Sequence, residues 1–216
     1  TLSDIGITFQ KDGTLKLDSS RLNTVLADST KDVSTLFAAV GKPTDSLVSF
    51  AGSTADTKNG AYALSVTQLA TQGKAVGGAA AVLTIGAGSN DSLNLTVDGV
   101  AASVTLAAGT YTAAALAAEL QSKINGVTAL SSAGIGVTVS QSAGVLTVTS
   151  NRYGSASTAI IAGGTAKADL FGTQTETAGV DVAGSIGGNT ATGSGQTLTG
   201  SGDSSGLALM VTGGAT

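Results

Sequence analysis

At the start of the chain apolar residues alternate with polar ones. Ile5, Ile7 and Phe9 form one run, Leu15 and Leu17 the next, and Asp12-Gly13 lies between them. A period of two puts side chains on one face of a strand, and Asp-Gly between two such runs predicts a β-hairpin with a two-residue turn. The period then becomes helical. Asp18 or Ser19 can cap a helix carrying Leu22, Val25 and Leu26 on one face. A second helix is predicted from about Thr30, with Val33, Leu36, Phe37 and Val40 at i, i+3, i+4 and i+7, stopped by Gly41 and Pro43. Residues 1–45 thus read as a hairpin and two short helices, too small to bury their apolar face, and are expected to dock on another surface.

Residues 46–60 read as a linker closing at Asn59-Gly60. Tyr62, Leu64 and Val66 then alternate with Ala63, Ser65 and Thr67, the pattern of a half-buried strand. Further strands are expected at 81–85, 93–97 and 104–106, with Asp98-Gly99 turning a hairpin. A helix from the cap Thr112 to Asn125 stacks Leu116, Leu120 and Ile124, pairs Glu119 with Lys123, and ends at Gly126. Strands resume at 137–140 and 145–149 around Ala143-Gly144, with a short tail at 168–171. Residues 81–171 therefore read as a self-contained β-β-α-β-β unit. Beyond Gly172 the chain is rich in Gly, Thr and Ser, with strands at 181–186, 197–199 and 207–211 expected to pair with the one at 62–69. The fold class is α+β, mainly β, built of antiparallel strands. Three domains follow: 1–45; a β-rich domain from 46–80 plus 172–216; and 81–171 inserted in it.

Composition narrows the chemistry. The 216 residues include no Cys, His or Trp, which excludes a Cys/His zinc site, a Ser/His or Cys/His nucleophile pair and disulfides. The net charge of -4 and the scattered basic residues argue against nucleic acid and acidic membrane as partners. No stretch has the roughly 20 successive apolar residues of a spanning helix, and Thr1-Leu2-Ser3-Asp4 has no basic start or apolar stretch of a secretory signal. The absence of a Met start reads as a fragment of a longer chain. Of the 24 charged residues, 11 lie in the first 45 positions, which marks the first domain boundary.

Carboxylates could do acid–base work without His. Asp98, however, sits in a hairpin turn where Asp-Gly is expected, and Asp91 lies at a strand edge. Gly200-x-Gly202-x-x-x-Gly206 misses the dinucleotide spacing and has no Lys nearby. Gly202-Asp203 matches a calcium-binding nonapeptide only once, where a β-solenoid needs several copies. Asn90-Asp91-Ser92 and Asn94-Leu95-Thr96 are sequons of the kind a Ser/Thr-rich chain produces by chance. No catalytic, cofactor-binding or metal residue is expected, and no cofactor. What remains is the texture of an extracellular assembly protein: few charges, no reactive side chains, and a Ser/Thr/Gly-rich surface.

Several stretches resemble one family, the bacterial flagellar filament cap protein or flagellar hook-associated protein 2. Leu2-Ser3-Asp4-Ile5-Gly6-Ile7-Thr8, followed by Lys11-Asp12-Gly13-Thr14-Leu15-Lys16-Leu17-Asp18, is similar to that family's hairpin, and Val33-Ser34-Thr35-Leu36-Phe37 continues it. Tyr62-Ala63-Leu64-Ser65-Val66-Thr67-Gln68-Leu69-Ala70 resembles a cap-protein strand. The span 93–154 resembles an insert that flagellins share, and 181–195 the strand pair after it. The resemblance covers nearly the whole chain but lacks the family's long amphipathic helices, so it implies the outer, globular part of a cap subunit. The hairpin's position ahead of the β-rich domain and insert departs from the usual order.

The resemblance implies a protein outside the cell at the distal tip of the flagellar filament. There a ring of copies retains exported flagellin and promotes its polymerisation by steric work, without bond chemistry. Its implied partners are other copies of itself in a pentamer or hexamer, flagellin, and hook–filament junction proteins. It also gives the docking expectation a target, the absent helices, contacted through Leu22, Leu26, Leu36 and Phe37. Two other readings stay open: a flagellin or hook–filament junction subunit, and a surface adhesin binding host glycan through loops at 187–205. A glycosidase with paired carboxylates is the enzymatic alternative.

Overall fold

The structure, a computed structural model, describes residues 2–28 and 41–213. The chain divides into two compact units, Thr1–Pro43 and Thr44–Thr216.

In the first unit a one-turn 3-10 helix, Leu2–Ile5, leads into strands β1 (Ile7–Phe9) and β2 (Leu15–Leu17) and helix α1 (Ser19–Ala27). The strands pair antiparallel, with Ile7 opposite Leu17 and Phe9 opposite Leu15. Asp12-Gly13 is not a two-residue turn, as expected from the sequence, but part of a longer connection over residues 10–14. Asp12 Oδ1 accepts from the Thr14 N–H at 3.0 Å and from its hydroxyl at 2.7 Å, a local bond that competes with a tight turn. The cap of α1 is Asp18, whose Oδ1 accepts from the N–H groups of Ser20 and Arg21. Ile5 and Val25 are buried. The second helix expected from about Thr30 lies outside the described residues.

The second unit contains the remaining elements. These begin with β3 (Val48–Gly52), β4 (Leu64–Gln68), β5 (Lys74–Val76), β6 (Thr84–Ile85), β7 (Ser92–Val97), β8 (Val100–Thr105) and β9 (Gly109–Thr110). Helices α2 (Ala113–Asn125) and α3 (Thr128–Ser132) precede β10 (Val137–Ser142), β11 (Val145–Ser150) and β12 (Ala159–Gly163). Last come α4 (Lys167–Phe171), β13 (Thr175–Thr177), β14 (Ala183–Ile186), β15 (Asn189–Ser194), β16 (Thr197–Thr199) and β17 (Ala208–Val211). Two hydrophobic cores lie in this unit.

The larger core is enclosed by a sheet of order β10-β11-β5-β13, a sheet of order β12-β7-β8, and α2. Leu116, Leu120 and Ile124 of α2 are fully buried in it with Leu93, Leu95, Leu146 and Val148. Thr112 caps the helix through Ala115 N–H, as its sequence predicts. The helix also seals the free edge of β10. The Asn125 side chain donates to Val137 O at 3.0 Å and accepts from Val137 N–H at 2.8 Å, while Gln121 Oε1 accepts from Val139 N–H at 2.8 Å. Groups that would otherwise invite another strand are thus occupied. Asp98-Gly99 and Ala143-Gly144 form the expected two-residue turns, with φ of 48° and 83°, and 50° and 83°. Positive φ at both positions is the type I′ geometry that matches the twist of paired strands.

The smaller core underlies a six-stranded antiparallel sheet of order β3-β17-β16-β15-β14-β4. Val182, Ile186, Ala191, Leu198 and Val211 are buried there, with Tyr62, Leu64 and Val66 packed against them. Three expectations are corrected. The supposed linker at 46–60 contains β3, paired with β17; its apolar run is too short to stand out in sequence. Among the later strands only β14 pairs with β4, and β17 lies towards the opposite side of the sheet. Finally, β5 and β13, outside the 81–171 span, pair with each other, and β5 also pairs with β11. The fold is α+β, mainly β, with antiparallel sheets, as the sequence implies.

Candidate functional site

The carboxylates singled out in the sequence do not converge. Asp91 Oδ2 accepts from Gly88 N–H at 2.7 Å in its own loop. Asp169 Oδ2 accepts from the Asn90 side chain at 2.7 Å, and that buried Asn also braces the loop through Gly86 N–H and Thr84 O. Asp98 is buried, its side chain 1% exposed. Its Oδ2 accepts from the Ser150 hydroxyl at 2.9 Å and its Oδ1 from Thr158 N–H at 2.8 Å, which ties the β7–β8 turn to β11 and to the approach to β12. Asp181 Oδ1 accepts from Ser155 N–H at 3.0 Å and Gly195 N–H at 2.7 Å. Hydrogen bonds from Ser155 and Gly195 hold its carboxyl below the ordinary range. Each of these groups is used in bracing a loop or joining structural elements. Among the described residues no cluster of three or more Asp or Glu is placed to hold a metal ion.

The segment 187–205, the glycan-binding candidate, is not an open loop. It holds β15, β16 and a one-turn 3-10 helix, Gly202–Ser204, which also absorbs the glycine-rich stretch that loosely matched a phosphate loop. Asp203 is fastened to Lys58 at 2.6 Å, and the Tyr62 hydroxyl points at Asp203 O and Lys58 O, at 2.8 and 2.7 Å.

The first unit offers a different kind of site. Across the hairpin register, Ile7, Phe9, Leu15 and Leu17 share one face. Phe9 is 72% exposed, Leu15 58% and Leu17 53%, and Leu26 on α1 is 57% exposed. Of the docking residues named from sequence, Leu26 is exposed, Leu22 is half-buried, and Leu36 and Phe37 lie outside the described residues. The hairpin residues were not named, although their alternation is the very signal that predicted the strands. An exposed apolar face of this kind marks a contact surface more often than a chemical site.

Comparison with known proteins adds the decisive observation. Residues 1–77 match the family model described as flagellar hook-associated protein 2 C-terminus. Over that stretch the chain is similar to the flagellar hook-associated protein 2 family. Sequence carries that likeness over residues 1–77; beyond them the likeness is one of fold. The fold is similar to the D2-D3 domains of the flagellar cap protein FliD from Serratia marcescens, with 17% identity, TM-score 0.53, and coverage of 78% of this chain and 93% of that one. It is similar also to the FliD D2-D3 domains from Escherichia coli, at 18% identity, TM-score 0.50, and coverage of 80% and 92%. FliD from Bdellovibrio bacteriovorus matches at 13% identity, TM-score 0.50, and coverage of 78% and 91%. No match is found among curated proteins.

Proposed function

We propose that this chain is the outer, globular part of a flagellar cap subunit, which caps the filament tip and promotes polymerisation of exported flagellin. The observation that carries the reading is the family match over residues 1–77, the stretch that includes the hairpin with its uncovered apolar face. The work is steric and conformational: a ring of copies confines flagellin and yields as each subunit folds beneath it. Partners are other copies of the chain, flagellin, and the hook–filament junction proteins. The place of action is outside the cell, at the distal end of the filament. No bond chemistry belongs to this role, and the carboxylates described above are engaged in turns, a helix cap, loop bracing or an ion pair. The hairpin face, with Leu22, Leu26, Leu36 and Phe37, is proposed to pack on helices of the cap subunit.

Residues from about 72 to 178, which include β5 and β13, are proposed to form a domain inserted between the strands of the six-stranded sheet. Electron microscopy of filaments labelled with antibody to this chain tests the functional reading. Label at filament tips alone is expected; label along the shaft would make it a flagellin, and label at the filament base a junction protein.

A further inference from the structure

The two cores of the second unit meet at a joint that the proposed capping role does not explain. The chain crosses between them twice, near residues 70–73 and 178–181, and the crossings lie side by side. Thr71 N–H donates to Val180 O at 2.9 Å, and Val180 N–H donates to the Thr71 hydroxyl at 3.1 Å. A pair of crossing segments with nothing else between the bodies would be a hinge, able to bend by small φ/ψ changes in a few residues. Relative motion is the default expectation for domains so connected.

A third support stands beside the crossings. The loop after β11, at residues 154–155, reaches across to the turn between β15 and β16. Gly154 N–H donates to Thr71 O at 2.9 Å, and Ser155 N–H donates to Asp181 Oδ1 at 3.0 Å. The same oxygen accepts from Gly195 N–H at 2.7 Å, so one carboxylate oxygen bridges a loop of the larger core and a turn of the smaller. The approach is close. Gly154 has φ of 97°, and a Cβ built on it would lie 2.6 Å from Gly195 Cα and against the Asp181 carboxylate. Only a residue without a side chain fits where backbone meets backbone at this distance. On the larger core the loop is itself anchored: Ser157 N–H donates to Gly154 O, Gly179 N–H donates to Ser157 O, and Gly73 N–H donates to the Ser157 hydroxyl at 2.7 Å. Ser157 is fully buried.

We propose that Asp181 is a latch that converts a two-strand hinge into a fixed joint, so that the two cores of the second unit move as one rigid arm. The geometry accounts for the rigidity. Two adjacent crossings leave rotation about the line joining them, and a third attachment off that line removes it. The bridge Ser155 N–H to Asp181 Oδ1 to Gly195 N–H is that attachment, because Gly195 lies off the crossings, in the turn between β15 and β16. Charge-assisted bonds of this kind are about twice as strong as neutral ones. Hydrogen bonds from Ser155 and Gly195 hold the Asp181 carboxyl below the ordinary range, in keeping with a carboxylate whose charged form is preferred in place.

The chain has no cysteine, so paired spin labels can be introduced cleanly. Ala118→Cys on α2 and Thr192→Cys on β15 are exposed positions on the two cores. Double electron–electron resonance on the full chain should give a single narrow distance. Asp181→Ala should broaden or split it, and Asp181→Asn, which keeps an acceptor oxygen in place, should preserve most of the narrow component. Far-UV circular dichroism and amide dispersion confirm that each variant is folded. A broad distribution in the chain with Asp181 intact overturns the proposal whatever the variants do, and so does a folded Asp181→Ala whose distance stays narrow. Neither result bears on the capping role, which filament labelling tests separately.

Discussion

Removing the Asp98 side chain should be among the most destabilising single changes on the surface loops of this protein. Asp98 occupies the first position of a type I′ turn at φ 48°, with its side chain folded inward. Asp98→Ala deletes two accepted bonds, from Ser150 Oγ and Thr158 N–H, and leaves both donors in a dry place. Bonds to charged groups contribute about 1.5–3 kcal/mol each. Alanine is also strained at positive φ, by roughly 1 kcal/mol beyond what Asp tolerates. The ion pair with Arg152 at 3.9 Å, half exposed on the Arg side, adds little. A loss of about 4–7 kcal/mol follows, a large share of the 5–15 kcal/mol typical of a folded domain. Urea denaturation measures it, provided the m-value is unchanged. Asp98→Gly separates the two causes, since it loses the same bonds but fits the turn. Gly should therefore be the milder variant by about 0.5–1 kcal/mol. An alanine variant within about 1 kcal/mol of the parent would refute the hydrogen-bond account, and an alanine variant as stable as the glycine one would refute the strain account.

Other consequences can be checked alongside it. Leu120→Ala empties a fully buried site under α2 and should cost about 2–5 kcal/mol by the same denaturation assay. The carboxyls of Asp12 and Asp181 are held below the ordinary range, by Thr14 in the first case and by Ser155 and Gly195 in the second. Their contribution is therefore complete above the unfolded pKa near 3.9 and is lost as pH falls through the lower folded values. Thermal melts should show a plateau at neutral pH, a fall on acidification below about pH 4, and a shallower fall in Asp181→Asn. In dilute solution the chain should be mostly monomeric by light scattering coupled to size exclusion, with residual association through the hairpin face. Leu17→Asp should abolish that association and impair filament capping in cells while leaving the melting temperature unchanged; a stable pentamer or hexamer at micromolar concentration would contradict the monomer expectation.

How much of this was legible in the sequence depends on whether a local signal existed. α2 was readable from end to end because Thr112, the stack Leu116-Leu120-Ile124 and Gly126 each announce their role through contacts within the helix. The turns at Asp98-Gly99 and Ala143-Gly144 were readable for the same reason, since positive φ at both positions selects those residue types. β5 and β13 were not, and β15 was implied only by the family resemblance at 181–195 and by no periodicity of its own. Their Gly, Thr, Asn and Lys content carries no alternation, and they are strands because neighbours distant in sequence supply their ladder bonds. β12 was missed although Ile160-Ile161 is β-branched, because its edge is completed by side chains far along the chain: Glu176 accepts from Ile161 N–H and Gln174 donates to Ile161 O. The hairpin face lay between these cases. Alternation revealed the strands and implied an apolar face, but only the register, with Phe9 opposite Leu15, and the exposure of its side chains show that face to be uncovered. Asp181 marks the limit of such reading. Nothing about an Asp between two valines distinguishes it from a turn residue, and its role comes wholly from the meeting of Ser155 and Gly195, brought together by two separate folds of the chain. Residues that fix one body against another leave the weakest trace in sequence, because their partners come from distant parts of the chain.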